Sequence, residues 1–155
     1  KYKPWDVVSY GFKANMSDLS ASLLVDQILN YEKLAKKKEK IYFKLKKKLS
    51  NLNQLQFPEN LKNKTRDYYL FPIGIEKKIR NKLIEYLTSK KIFVTVNFKS
   101  ITKLKYYNKK YNNNNCPNSE RWGEETLSLP FHAKLEAKEI NEIFNQIKFF
   151  LKKNN

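Results

Sequence analysis

Residues 17–49 carry an apolar pattern of helical period, and nothing else in the chain constrains its shape as strongly. Ser17 is placed to cap this helix, and Asp18 lies in its first turn, where a negative charge meets the positive end of the dipole. From Leu19 to Leu29 the apolar residues (Leu19, Ala21, Leu23, Leu24, Val25, Ile28, Leu29) point almost all round the axis. Beyond Tyr31 they thin to one stripe of Leu34, Ala35, Ile41, Tyr42, Leu45 and Leu49. The first half is therefore expected to be buried on two sides and the second to lie on a surface. Unbroken, the helix would span roughly 50 Å at about 1.5 Å per residue. That is too long for a compact domain of this size, so it reads as a strut between two bodies. The chain divides accordingly into a loop and long interdomain helix, 1–50, and a small α/β domain, 51–155.

The chain has 155 residues, of which 41% are hydrophobic, enough for a real core. No apolar run approaches the roughly 18 residues of a membrane span, and the N-terminus lacks the plan of a signal peptide. Cys116 is the only cysteine, which excludes an internal disulfide and fits a reducing, cytoplasmic setting. The single histidine, His132, cannot build a histidine-rich metal site, and no metal is expected. The chain enters at Lys1 straight into Tyr2-Lys3-Pro4-Trp5 without a cap or turn of its own, and it reads as the C-terminal piece of something longer.

A net charge of +17 admits two readings. One is a basic binding module for nucleic acid, releasing counterions from phosphates. The other is a lysine-rich composition spread over solvated faces. The lysines fall in every expected helix, most densely from Lys33 to Lys48, and not in one groove-sized cluster. No RNA-binding, zinc-finger or basic-zipper spacing is present. The distribution favours the compositional reading.

After the long helix, 51–65 is polar, contains Pro58, and reads as a connection. Arg66 to Ile75 is aromatic and aliphatic throughout, a buried strand whose Pro72 lacks a ladder donor and favours an edge or bulge. Glu76 to Thr88 is a helix with Ile79, Leu83, Ile84 and Leu87 on one face, and Ile92 to Val96 is a second strand. Tyr111 to Pro117, with its four consecutive asparagines, is loop. Leu127 to Leu129 forms a short strand stopped by Pro130. Glu136 to Lys153 closes the chain as an amphipathic helix. The fold class is α/β, an α+β small domain: a small, mostly antiparallel sheet with helices packed on one face, entered by the long helix.

Three stretches resemble one family. Gly11-Phe12-Lys13-Ala14-Asn15-Met16-Ser17-Asp18 is similar to the Gly-Tyr-Asn-Tyr-Arg-Met-Thr-Asp signature of the DegT/DnrJ/StrS sugar-nucleotide aminotransferases. Val96-Asn97-Phe98-Lys99-Ser100-Ile101-Thr102 resembles a Val-Asn-Tyr-Arg-Ala-Ile-His stretch of one branch. Pro117-Asn118-Ser119-Glu120-Arg121 with Ser128-Leu129-Pro130 resembles Pro-Asn-Ala-Glu-Arg followed by Ser-Leu-Pro, the most specific of the matches. The likeness covers nearly all of Trp5 to Leu151 in order and spacing. There are departures. Lys99 replaces arginine and loses its bidentate fork, and Thr102 replaces a histidine that borders the substrate in relatives. Lys91 stands where a glycine usually ends the preceding helix. Either the turn differs there, or the lysine is held left-handed at a cost on the order of 1 kcal/mol.

The resemblance implies the C-terminal domain of a fold-type I transferase that depends on pyridoxal 5'-phosphate. Such an enzyme moves an amino group from an amino-acid donor to a nucleotide-linked keto sugar, in amino-sugar or cell-surface polysaccharide synthesis. It implies that the Schiff-base lysine, the acid at the pyridine nitrogen and most phosphate ligands lie upstream of Lys1, so that this piece alone is inactive and holds no catalytic residue. It implies a homodimer in which the Tyr10–Met16 loop reaches the partner's cofactor phosphate through Asn15 or Lys13. It also places Asn97 and Lys99 where they face the sugar or its diphosphate. Tyr10 and Tyr106 read as packing aromatics, His132 as a surface histidine, and Glu120 with Arg121 as a surface charge pair worth little.

Overall fold

The computed structural model describes residues 2–3, 5–59, 67–111 and 115–154. The expected long helix forms, divided once. Helix α1 spans Asp18–Leu29 and α2 spans Tyr31–Leu49, with Ser17 accepting the backbone N–H of Ser20 as the N-cap. The break is Asn30, whose side-chain amide donates to the carbonyl and the carboxylate of Asp26, each at 3.0 Å. A short amide that competes for backbone groups does this to a helix. The expected burial of the first half on two sides is not met within these residues. No α1 side chain is buried, and Leu19 and Leu29 stay 79% and 80% exposed because nothing in the described residues packs over them. In α2 the later part of the stripe behaves as expected, burying Tyr42, Leu45 and Leu49, while Leu34 at its start stays exposed.

Two strands form the sheet, β1 (Phe71–Gly74) and β2 (Thr126–Leu129), antiparallel with Phe71 opposite Leu129 and Gly74 opposite Thr126. The first strand is shorter than the sequence suggested. Residues 67–70 join no ladder, and Arg66 lies outside the described residues. The second expected strand, Ile92 to Val96, reduces to one bridge, Thr95 to Ser128. Gln56 bridges Gly74 on the far side, through both backbone groups at 2.8 Å. Because Gly74 turns its N–H and C=O toward Gln56, Pro72, two residues earlier, turns the same way. Its missing donor therefore points off the outer edge, and the ladder with β2 loses nothing.

Phe71, Ile73, Leu127 and Leu129 share one sheet face and join a core with α2, helix α3 (Lys77–Ser89) and helix α6 (Ala137–Lys153). Tyr42 packs against Phe71 with ring centroids 4.9 Å apart. Glu136 and Glu139 form a capping box at the start of α6, as an acidic first turn favours. The opposite face carries small and polar residues. There Arg80 of α3 is buried and donates to the Thr126 carbonyl at 3.0 Å. The Trp122 indole lies over Gly74, where an added Cβ would stand 2.9 Å from the ring.

The end of α3 shows how the sequence solves its missing glycine. Lys91 takes φ 61°, its N–H bonds Thr88 O at 2.9 Å, and the Ile92 N–H bonds Leu87 O at 2.9 Å. Those two bonds, with Ile92 and Leu87 both buried, make a Schellman ending built on a lysine. Two short helices follow that the sequence pattern did not reveal, α4 (Lys105–Lys110) and α5 (Pro117–Glu125). Of the asparagine-rich loop, 112–114 lie outside the described residues. Among the described residues no helix is long and apolar enough to cross a membrane, and no three metal-ligating side chains come together.

Candidate functional site

The N-terminal residues lie against the segment that carries Asn97 and Lys99. The Trp5 indole N–H reaches the Val96 carbonyl at 3.4 Å and its ring meets Phe98 edge-on. The Asp6 carboxylate accepts the backbone N–H groups of Val7 and Lys105, each at 2.9 Å, and faces the Lys99 ammonium at 3.5 Å. Tyr106 donates its backbone N–H to the Val7 carbonyl at 2.8 Å, and the Tyr10 ring meets that of Tyr106. The bond from the Lys105 N–H is foremost in holding the Asp6 carboxyl below its ordinary range. The Val7 N–H and the charges of Lys99 and Lys105 act the same way, against a desolvation that opposes them.

The far side of the segment rests on α5. After Ser100 the chain makes one 3₁₀ turn, Ile101–Lys103, before α4. Glu120 grips this turn: Oε1 accepts the Thr102 hydroxyl at 2.7 Å and Oε2 pairs with Lys103 Nζ at 2.9 Å. Ser119 Oγ lies 3.1 Å from Ser100 Oγ. The Lys103 partner is foremost in lowering the Glu120 pKa, with Thr102 next. The expected Glu120–Arg121 surface pair is therefore replaced by a grip on Lys103, because consecutive helical residues do not face each other. A cavity of about 230 Å³ lined by Ile101, Thr102, Tyr107 and Tyr111 adjoins the turn.

Of the four anticipated binding residues, Lys99 is drawn to Asp6, and Asn97 is half-buried with a side-chain oxygen that has no hydrogen-bond partner. Lys13 and Asn15 are exposed and make no hydrogen bond or ion pair to the described residues. Asn15 does not cap α1, since Ser17 does. Tyr10 ties the start of their loop to Tyr106 of α4, and His132 is exposed as expected. Sequence reasoning missed Asp6 and underrated Glu120. Nothing local marks Asp6, whose partners lie about a hundred residues away. Glu120 was signalled by the specificity of the Pro117–Arg121 motif.

A long helix leads into a small α/β domain, with an exposed loop ahead of it and a polar segment clamped behind. The chain belongs to the DegT/DnrJ/EryC1/StrS aminotransferase family, whose profile matches residues 1–148. An uncharacterized protein of Methanocaldococcus jannaschii, MJ1066, is 28% identical over 156 residues, covering 97% of this chain and 40% of that protein. The aminotransferase TlmJ of Streptoalloteichus hindustanus shares the fold, with a TM-score of 0.82 at 20% identity over 97% of this chain and 40% of TlmJ. The protein Spr1654 of Streptococcus pneumoniae, solved in its PLP form, superposes with a TM-score of 0.78 at 26% identity, covering 96% of this chain and 39% of Spr1654. The chain thus spans about 40% of the length of the relatives it matches.

Proposed function

We propose that this chain is the C-terminal part of a pyridoxal-phosphate-dependent aminotransferase acting on a nucleotide-linked keto sugar with an amino-acid donor. The observation that carries the reading is the family match over residues 1–148, with all three motifs in order. The cofactor, when bound, supplies the electron sink that lets the amino group change carriers. These residues fit only its phosphate side. No described lysine is buried, so none has the desolvated setting that activates a Schiff-base amine. Lys13 and Asn15, exposed and unengaged, are donors available to a phosphate.

In this reading Asn97 and Lys99 bind the sugar nucleotide. The unpartnered, buried oxygen of Asn97 suits a sugar hydroxyl that donates to it. Lys99 brings positive charge to a diphosphate, its ammonium held in place by the Asp6 carboxylate at 3.5 Å. Two copies associate through α1 and the Tyr10–Met16 loop, in the cytoplasm. The test is an amination assay with a nucleotide-linked keto sugar and a panel of amino-acid donors. The full-length enzyme is expected to turn over, and this chain alone to be inactive and to leave the cofactor's absorbance unchanged. A full-length protein that binds the cofactor but aminates no such sugar overturns the substrate assignment.

A further inference from the structure

Helix α5 has no part in the chemistry just described, yet it holds the Asn97–Lys103 segment at three places along one face. Glu120 bridges Thr102 and Lys103, and Ser119 meets Ser100. Gly123 lets the two backbones touch, since a Cβ there would stand 2.6 Å from Ser100 N and 3.3 Å from Phe98 O. The 3₁₀ turn itself buries none of its own side chains, so apolar packing does not fix its shape. Polar contacts do: Ser100 to Thr102 at 2.9 Å, Asn108 Nδ2 to the Thr102 carbonyl at 2.9 Å, and the two Glu120 bonds. Among the described residues only Glu120 joins the turn to a separate element through both carboxylate oxygens.

We propose that Glu120 is a positioning residue: by docking the Ser100–Lys103 turn on α5 it fixes the direction in which Asn97 and Lys99 meet the sugar nucleotide. The inference rests on the reading of Asn97 and Lys99 as substrate contacts. Glu120 touches neither substrate nor cofactor. It acts three residues downstream, through a backbone that Gly123 holds from below. A chain free of this grip keeps Asn97 and Lys99 but presents them in many directions, and affinity falls because the bound geometry must then be ordered on binding.

The experiment compares Glu120→Ala, Glu120→Asp and the pair Asn97→Ala/Lys99→Ala in the full-length enzyme. It reads KM for sugar nucleotide, KM for amino donor, kcat and melting temperature. Glu120→Ala is expected to raise the sugar-nucleotide KM about 10-fold, the scale of one charge-assisted contact, and to leave the amino-donor KM unchanged. Glu120→Asp recovers part of the loss. Added to Asn97→Ala/Lys99→Ala, Glu120→Ala costs nothing further, because a residue acting through others is not additive with them. Effects that multiply, a parallel rise in both KM values, or a fall in melting temperature alone each overturn the proposal. An Asn97→Ala/Lys99→Ala pair that binds the sugar nucleotide normally sinks the substrate-contact reading and this proposal with it. A weakened pair alongside an inert Glu120→Ala removes only Glu120.

Discussion

Asp6 accepts the backbone N–H of Lys105 at 2.9 Å, joining residues 99 apart in sequence. This bond, with the Val7 N–H and the Lys99 charge, holds the Asp6 carboxyl below its usual value of 3.8. A depressed carboxyl contributes docking free energy that is present above its unfolded pKa and lost as pH falls through the folded one. The N-terminal strap should therefore stay docked at neutral pH and release only below the ordinary carboxylate range, about 3.9 for a free Asp. Trp5 reports on this, and Trp122→Phe removes the other indole. Asp6→Asn is expected to abolish that acid transition in Trp5 fluorescence. An identical transition in both proteins would show that another group releases the strap.

Lys91 stores strain that a glycine would not. At φ 61° a side chain costs on the order of 1 kcal/mol, whereas glycine takes this conformation freely. Glycine also loosens the unfolded chain, which offsets part of the gain. Lys91→Gly is expected to stabilise by about 0.5–1 kcal/mol, a rise in melting temperature of roughly 1–4 °C for a chain of this size. Lys91→Ala keeps the strained Cβ and should gain nothing. A stabilising alanine would mean that lysine charge, not backbone strain, is what glycine relieves.

The same residue shows where the sequence was legible. The helix over 76–88 and the closing amphipathic helix follow from local rules of period and cap, whereas the left-handed ending at Lys91 was pointed to by resemblance and decided only by the structure. The expected strand over Ile92 to Val96 did not survive because only Thr95 reaches Ser128, and ladder formation depends on a neighbour's path rather than on β-propensity. Helix α5 was hidden by its shortness, although Pro117 at its start is a helix-opening signal. At the candidate site the binding residues were named from resemblance, whereas Asp6 and Glu120 became visible only when residues far apart in sequence met. Clamps of this kind have no local pattern.

Helix α1 predicts an assembly. An all-round apolar helix is a buried one, yet Leu19, Leu23, Val25, Ile28 and Leu29 are all exposed here. One covering surface cannot satisfy every side, so both the remainder of the enzyme and a second copy are expected to close over it. Sedimentation of the full-length, cofactor-bound enzyme should show a dimer at micromolar concentration. Leu19→Glu/Ile28→Glu, which places charge on two sides of the helix, should yield monomers or insoluble protein. A soluble wild-type monomer would remove the loop and α1 from any interface.

The +17 charge predicts weak, salt-sensitive contact with nucleic acid. A basic concavity of about 460 Å³ lies between α2 and α6, lined in part by Lys44, Lys47 and Lys48. Three lysines on one helix face neutralise few phosphates. Binding to mixed-sequence duplex DNA should therefore be weak, its log affinity falling by about 0.9 per phosphate contacted for each decade of salt, and be lost by physiological salt. Retention there with a sequence preference would favour a nucleic-acid module over the compositional reading.

Asn15 is the sharpest test of the carried-over cofactor contact. Its side chain caps nothing, because Ser17 already accepts the Ser20 N–H, and it has no partner among the described residues. A structural role for Asn15 is thereby reduced, and Asn15→Ala should leave the melting of the cofactor-free enzyme unchanged. An amide donor to a phosphate in a preformed pocket is worth roughly 1.5–3 kcal/mol, or about 10- to 100-fold in cofactor retention. Equilibrium dialysis of the full-length enzyme, followed by cofactor absorbance, measures that factor without any turnover. Lys13→Ala in parallel separates the two candidate donors. Weakening by Lys13→Ala alone keeps the loop in its role and moves the contact two residues upstream. Unchanged retention in both variants refutes the phosphate contact while leaving the family and the fold where they stand.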